Sequence, residues 1–431
     1  MTAHPNASST PSPQASPSAF VIAITGAISL ACAMGLGRFA FTPMLPLMVH
    51  DGLVDLPGGS WLATLNYIGY LLGALACMAL PLLLRNRTPI QLRQLTLPLM
   101  TTGLLGTTAL LFCMALPWHA LWALARTAAG IVSAFAFVYT TAWCLEQLAA
   151  RNANQLGGLI YTGPGIGIVV SGLVVSKMAL WQAHAQVVWA VMGCAAVVLT
   201  TFVLHVVRRA SQHERATPSA RTSSHSSTAA QTVHGAPWTA EHILLTIAYG
   251  LAGFGYIITA TYLPVIAHSV MPDSSLIALF WPIFGLSIAV GAASTRLIAP
   301  WRDRRSLLVI SYLLQACGVV LPLFLANSMG FILGSILLGL PFTALTLFAM
   351  QEVRRLRPLQ AAPFIGALTT LYGMGQIAGP PLVVWLLGHA QTQQQGFAIA
   401  LSVAAASLIL GAVLFWLLRW RYPTVPHQQG Q

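Results

Sequence analysis

Polar residues along this chain come in short clusters separated by long apolar runs. Twelve runs can be read, at roughly 19–49, 60–84, 95–116, 119–147, 155–177, 181–207, 241–268, 274–299, 305–326, 328–350, 360–388 and 394–420. A helix needs about 20 apolar residues to cross the hydrocarbon of a bilayer, so each run is long enough to span it. Most of the intervening clusters are short, the tightest being Ala326-Asn327-Ser328. The exception is 208–240, which is polar and aperiodic, with Ser211, Pro218, Ser219, Ser223, Ser224, Ser226 and Ser227. It predicts a flexible linker between a six-helix bundle at 19–207 and a second at 241–420. Residues 1–18, rich in Ser, Pro, Ala and Thr, predict a disordered end, and 421–431 a short tail. The first stretch holds no Lys or Arg, so it lacks the basic start of a cleaved secretory signal.

The two bundles repeat one another in sequence. Gly35-Leu36-Gly37-Arg38 leads to Leu45-Pro46-Leu47, and Gly253-Phe254-Gly255-Tyr256 leads to Leu263-Pro264-Val265. The offset is 255 − 37 = 218 and 264 − 46 = 218, and it recurs for Gly73 with Gly291 and for Arg87 with Arg305. Gly163-Pro164 and Gly379-Pro380 match at the nearby offset of 216. The chain therefore predicts an all-α membrane protein with twelve transmembrane helices in two pseudo-symmetric six-helix bundles. Parallel repeats of this kind place a solute site near the midplane between them.

Charge gives the orientation. Only 6% of the residues are charged, against 57% hydrophobic, whereas a soluble domain carries about 25% charged residues. The net charge of +12 is no nucleic-acid footprint here, because alternate loops collect it: one side receives seventeen arginines and the other only Lys177, with Asp51, Asp55 and Asp273. Basic loops stay inside, which predicts both termini in the cytoplasm; the expected location is a bacterial inner membrane. The six cysteines lie within apolar runs without C-x-x-C spacing and read as small hydrophobes. His50, His119, His184, His268 and His389 gather near span ends and read as interfacial side chains; no metal or cofactor motif is present.

Two arginines, Arg38 and Arg126, lie inside apolar runs. A guanidinium in hydrocarbon costs about 2.5–3.5 kcal/mol on insertion scales, so it faces a cavity or a partner. Arg38 sits about 15 Å in from the outer end of its helix and Arg126 about 12 Å in from the same side, so the two could converge on one aqueous cavity. The competing reading has each guanidinium bonded to helix carbonyls as a packing or gating element. No carboxylate lies deep in any span; Glu146 is about 30 Å along the helix from Arg126. Unpaired cations favour an anionic or carboxylate-bearing solute, which the planar fork of arginine suits. Asn66, Tyr67, Tyr139, Tyr161, Tyr256, Tyr262, Tyr372 and Gln376 are polar groups within spans that could complete a pocket, and ordinary interhelical hydrogen bonding is the alternative for each. The candidates for solute binding are Arg38, Arg126, Tyr256, Tyr262, Tyr372, Gln376 and Asn66, with Gly163, Pro164, Gly379 and Pro380 as hinges.

At these motifs the chain resembles the major facilitator superfamily over residues 19–420. Gly35 through Pro46 is similar to the first-span signature of its uncharacterised YbfB/YjiJ-like branch. Arg126-Thr-Ala-Ala-Gly130 resembles the R-x-x-x-G motif of span four, whose arginine the resemblance implicates in proton coupling, and Gly163-Pro164 with Gly167 resembles the Gly-Pro motif of antiporters. The superfamily's 2–3 loop motif survives only as Arg85-Asn86-Arg87, without its acid, and Thr295 stands where the second-half echo has one. The resemblance implies that spans 1, 4, 7 and 10 line a central cavity, bringing Arg38, Arg126 and Tyr256 together. The expected function is secondary transport of a small organic solute by alternating access, coupled to protons if the span-four likeness holds, by a monomer in the lipid bilayer. A membrane receptor or signalling scaffold on the same fold is the alternative; an enzyme is not expected, since no carboxylate pair, metal cluster or nucleophile–base spacing occurs.

Overall fold

The computed structural model describes residues 17–84, 94–216, 239–272, 274, 276–298, 302–357 and 361–423. Arg85, Arg87, Arg93, Arg221, Asp273 and most of both termini lie outside the described residues. The described chain forms twelve long helical elements: α1 Ala19–His50, α2 Leu56–Leu83, α3 Thr96–Ala115, α4 His119–Ala149, α5 Asn154–Leu180, α6 Ala185–Ala216, α7 Ala240–Val270, α8 Ile277–Leu297, α9 Arg304–Phe324, α10 Ser328–Leu356, α11 Ala361–His389 and α12 Gln393–Arg421. Eleven are long and apolar enough to cross a membrane. The other, α11, has the length but is diluted by glycines, Gln376 and the pair Pro380-Pro381. The chain is a multi-pass membrane protein.

Side-chain caps set several helix starts. Asp55 accepts from the Gly58 amide at 2.8 Å, Asn327 from Gly330 at 3.0 Å and Thr392 from Gln395 at 3.2 Å, each satisfying a first-turn N–H that the helix leaves free. Asn327 is why the tight Ala326-Asn327-Ser328 connection separates two helices rather than joining them. Thr239 and His242 form a reciprocal cap at the start of α7. At the other end of the linker the helix of α6 runs on to Ala216, past residue 207 where the apolar run ends; Arg208 and Arg209 extend a helix rather than opening a loop.

The α-helix is interrupted in both α1 and α5. In α1, residues Ala31–Phe39 wind as a π-helix, and an α-helix resumes at Phe41. Pro43 falls in the first turn of that new helix, where its missing N–H is not needed. Stretches of π-helix are rare and concentrate at functional positions. In α5 the chain turns at Tyr161-Thr162 and restarts at Gly163, with Pro164 in the first turn.

The halves meet in symmetry-related pairs: α5 packs on α8, and α11, its counterpart in the other half, packs on α2. Helix prolines supply part of the join. Pro264 cannot donate to the carbonyl four residues back, so Ala260 O is free to accept from Thr42 Oγ1 at 2.8 Å across the halves. Pro282 likewise frees Ala278 O, which accepts from Ser176 Oγ of α5 at 3.1 Å. Thr42 and Ala260 occupy equivalent repeat positions (260 − 42 = 218), so the pseudo-two-fold axis passes close to this contact. It lies in the end of α1, Phe41–His50, that packs on α7, away from the Arg-rich face.

Glycines let α1 and α5 touch backbone to backbone. A Cβ on Gly35 would lie 2.3 Å from Gly167 Cα, and the repeat position behaves alike, a Cβ on Gly253 falling 2.1 Å from Tyr372 O. Gly35→Val should therefore cost at least about 1–3 kcal/mol of overpacking and yield protein that aggregates on size-exclusion chromatography. Gly388→Ala, where nothing lies within 4 Å, should run as a single peak like the parent.

The Arg-rich face holds a buried ion cluster that the charge pattern conceals. Arg305 looks like one more loop arginine, yet it is 1% exposed. Its Nε donates to Glu352 Oε1 at 2.5 Å, its Nη1 to the carbonyls of Leu418 and Tyr422 at 2.8 and 2.6 Å, and its Nη2 to Glu241. One guanidinium thereby ties together the ends of α7, α9, α10 and α12.

Candidate substrate site

Arg38 lies in the last turn of the π-helical stretch of α1 and is 3% exposed. Its Nη2 donates to Gln376 Oε1 at 2.6 Å, from the first half to the second. The guanidinium lies 3.9 Å from the centre of the Tyr70 ring, 5.3 Å from Tyr67 and 5.5 Å from Phe39, distances at which an aromatic face attracts a cation. Gln376 Nε2 in turn donates to the Tyr256 hydroxyl at 2.5 Å. A guanidinium has only donors, so it fixes the amide with its oxygen toward Arg38 and its nitrogen toward Tyr256. Tyr372 stacks between Tyr256 and Tyr249, with centroids 5.8 and 4.9 Å away, and Phe342 of α10 meets Tyr256 edge-on at 4.9 Å.

The structure thus brings Arg38, Tyr256, Tyr372 and Gln376 into one cluster on α1, α7 and α11. Arg126, on α4, is 2% exposed; its Nε reaches Leu62 O at 3.5 Å and its guanidinium lies 4.3 Å from the Phe41 ring centre. Tyr67, whose ring Arg38 faces, bonds Thr261 Oγ1 through its hydroxyl at 2.8 Å. The expectation that both face a shared aqueous cavity needs correcting: in this conformation each is closed off from solvent, Arg38 by Gln376 and aromatic rings, Arg126 by the α2 backbone and Phe41. No carboxylate among the described residues is within ion-pair distance of either.

Asn66 and Tyr262 fall outside the cluster. Asn66 Nδ2 donates to the Arg126 carbonyl at 3.0 Å, which fastens α2 to α4. Tyr262 lies about 9 Å further along α7 than Tyr256 and donates to Ser60 Oγ at 2.6 Å, in the seam away from the Arg-rich face. Two grooves with cavity volumes of about 240 and 500 Å³ lie beside this seam, lined by Trp61, Thr64 and Trp385 and by Pro57, Leu387 and Gln391 respectively; neither touches the arginines. Gly163 and Pro164 mark the break in α5, whereas Gly379 and Pro380 lie in a continuous α11.

Among the side chains of this cluster, Arg38 Nε is buried without a partner in the protein. Buried polar groups in folded proteins are satisfied in roughly nine cases of ten, so this nitrogen is an exception. Tyr70, Tyr249 and Phe342 were not among the sequence candidates. The signal for Tyr70 was present, since Tyr67 and Tyr70 are three apart and share a helix face; Tyr249 and Phe342 carry no local mark.

No curated protein matches the chain. Among solved structures, that of the nucleoside transporter NupG superposes with a TM-score of 0.68 at 14% identity, covering 94% of this chain and 100% of that one. A single-substitution mutant of the same transporter gives 0.66 at 14% identity, covering 92% and 99%. At that identity the likeness establishes the fold, two six-helix bundles arranged as in transporters. The model of the family described as uncharacterised MFS-type transporter YbfB matches residues 30–416, nearly the whole helical body, and the chain belongs to that family of membrane transporters.

Proposed function

We propose that the protein is a secondary active transporter carrying a small organic solute that bears a carboxylate or a comparable anionic or carbonyl group, with Arg38 engaging that group. The observation that carries this reading is Arg38 itself. It is a buried cation between the halves, bonded to a neutral amide carbonyl rather than to an acid. Arg126, one seam away, adds positive potential to the same region. The loop arginines support placing both termini in the cytoplasm. The packing of Phe41–His50 against α7 then supports a conformation sealed toward the outside. The protein is taken as a monomer in the inner membrane.

Proton coupling, which the likeness of the Arg126 motif implies, would have to run here without a carboxylate beside either arginine. Transport that ignores both a pH gradient and a protonophore would remove it from the mechanism.

The test begins with purified full-length protein screened for thermal stabilisation by organic anions and neutral carbonyl compounds. The best stabiliser should then show counterflow into proteoliposomes, with none into protein-free vesicles. A compound that stabilises strongly yet never crosses the membrane would replace transport with a receptor role.

A further inference from the structure

We infer that the side-chain amide of Gln376 is an internal ligand of Arg38, occupying the position that a solute's carboxylate or carbonyl takes, so that binding must displace it and thereby releases a contact between the two halves. The inference rests on the reading of Arg38 as the solute-engaging residue and adds what stands in its place when no solute is bound.

The geometry is that of a ligand. Gln376 presents an sp² oxygen to Nη2 of Arg38 at 2.6 Å, the distance and atom type that a solute carbonyl would offer. The far side of the amide is held by Tyr256, 2.5 Å from Nε2, as a protein pocket would hold a solute. The match is incomplete in an informative way. A carboxylate offers two oxygens to a guanidinium fork, while the amide offers one, and Arg38 Nε is left buried without a partner. A carboxylate could engage the nitrogen that Gln376 leaves idle and neutralise the charge as well, so it outcompetes the amide where water does not.

Displacement has a mechanical result because Arg38 and Gln376 belong to different halves, α1 and α11. Their hydrogen bond joins the halves at the centre, as Thr42 with Ala260 O and Tyr262 with Ser60 join them nearer the seam. A solute held by Arg38 alone leaves Gln376 free to move with α11.

The decisive measurement needs no solute. Ala260→Cys places a thiol at the α1–α7 seam with a small change of volume, and its labelling by a membrane-impermeant maleimide, in cells or oriented vesicles, reports opening toward the outside; the protein without that substitution gives the background from native cysteines. In the Ala260→Cys protein, adding Gln376→Ala should speed labelling about tenfold, the worth of one charge-assisted hydrogen bond. Gln376→Glu, which makes the contact ionic, should slow it. Equal rates in all three proteins overturn the proposal. As a second arm, benzoate serves as the carboxylate probe in thermal-shift titrations. Gln376→Ala should respond at lower benzoate than the parent, because a competitor is gone; a requirement for more benzoate makes Gln376 a solute contact and also overturns the proposal. An undiminished benzoate response in Arg38→Gln would sink the assignment of Arg38 instead, which separates that failure from this one.

Discussion

Arg38→Gln should lower kcat/KM for the transported solute at least about a hundredfold, a loss of about 2.7 kcal/mol. The size follows from the setting. Hydrogen bonds to a charged group contribute about 1.5–3 kcal/mol each, and a fork can make two at once to a carboxylate. Gln376, Tyr70 and Tyr67 enclose Arg38, which is 3% exposed, and a hydrogen bond is electrostatically stronger in such low-dielectric surroundings than in water. Glutamine keeps a donor but removes the charge and the fork. Arg38→Lys should fail nearly as badly, since an ammonium is a point charge that cannot engage two oxygens in one plane. Arg126→Gln should cost less, about tenfold, because the hydrogen bond of its Nε to Leu62 O, at 3.5 Å, is long and Arg126 lies outside the cluster around Gln376. Counterflow with each variant, at matched protein density, measures all three. Wild-type rates in Arg38→Gln would move the site away from the α1–α11 contact altogether.

The largest expected loss of stability is on the Arg-rich face. Arg305→Met should destabilise the second bundle by about 3–5 kcal/mol, the usual result of removing one partner from a buried pair. Two carboxylates lose Arg305, Glu352 at 1% exposure and Glu241, and two helix-end carbonyls lose a donor. Glu352 retains Arg355, whose side chain is 43% exposed, so the same change at Arg355 should fall within the roughly 0–1 kcal/mol typical of exposed pairs. Pairing Arg305→Met with Glu352→Met should recover part of the loss, since the deepest stranded charge is then gone. Thermal unfolding in detergent separates these cases: a clear fall in Tm for Arg305→Met, little for Arg355→Met and an intermediate value for the double variant. An unchanged Tm for Arg305→Met would show the cluster to be no staple.

Helix number, the two-bundle plan and the candidate arginines could all be read from the chain because each depends on local composition. Run length against bilayer thickness gives the spans, and the offset of 218 that links Gly37 to Gly255 also links Thr42 to Ala260, which the structure finds in contact. What stayed hidden depends on who meets whom at long range. Arg38 and Gln376 are 338 residues apart, and Gln376 in isolation is one polar residue in an apolar helix. Arg305 was hidden by its setting: among loop arginines that obey the positive-inside rule, the one that turns inward has the same neighbours in sequence as those that do not. Asn66 and Tyr262 show the converse, polar groups in spans whose partners prove to be a neighbouring helix backbone and a serine. The winding of α1 was also unreadable, since Ala31–Phe39 carries no marker beyond glycines that an α-helix would tolerate.

That winding separates two positions that the repeat makes equivalent. The counterpart of Ala31–Phe39 lies in α7 as ordinary α-helix, so residues matched one to one in sequence leave their helices in different directions. Arg38 and Tyr256 are such a pair, and both end on the same amide. The midpoint of the molecule is thus the place where its twofold likeness fails, offering a cation from one flank and a phenol from the other. A solute bound there, as proposed, would meet two unlike walls.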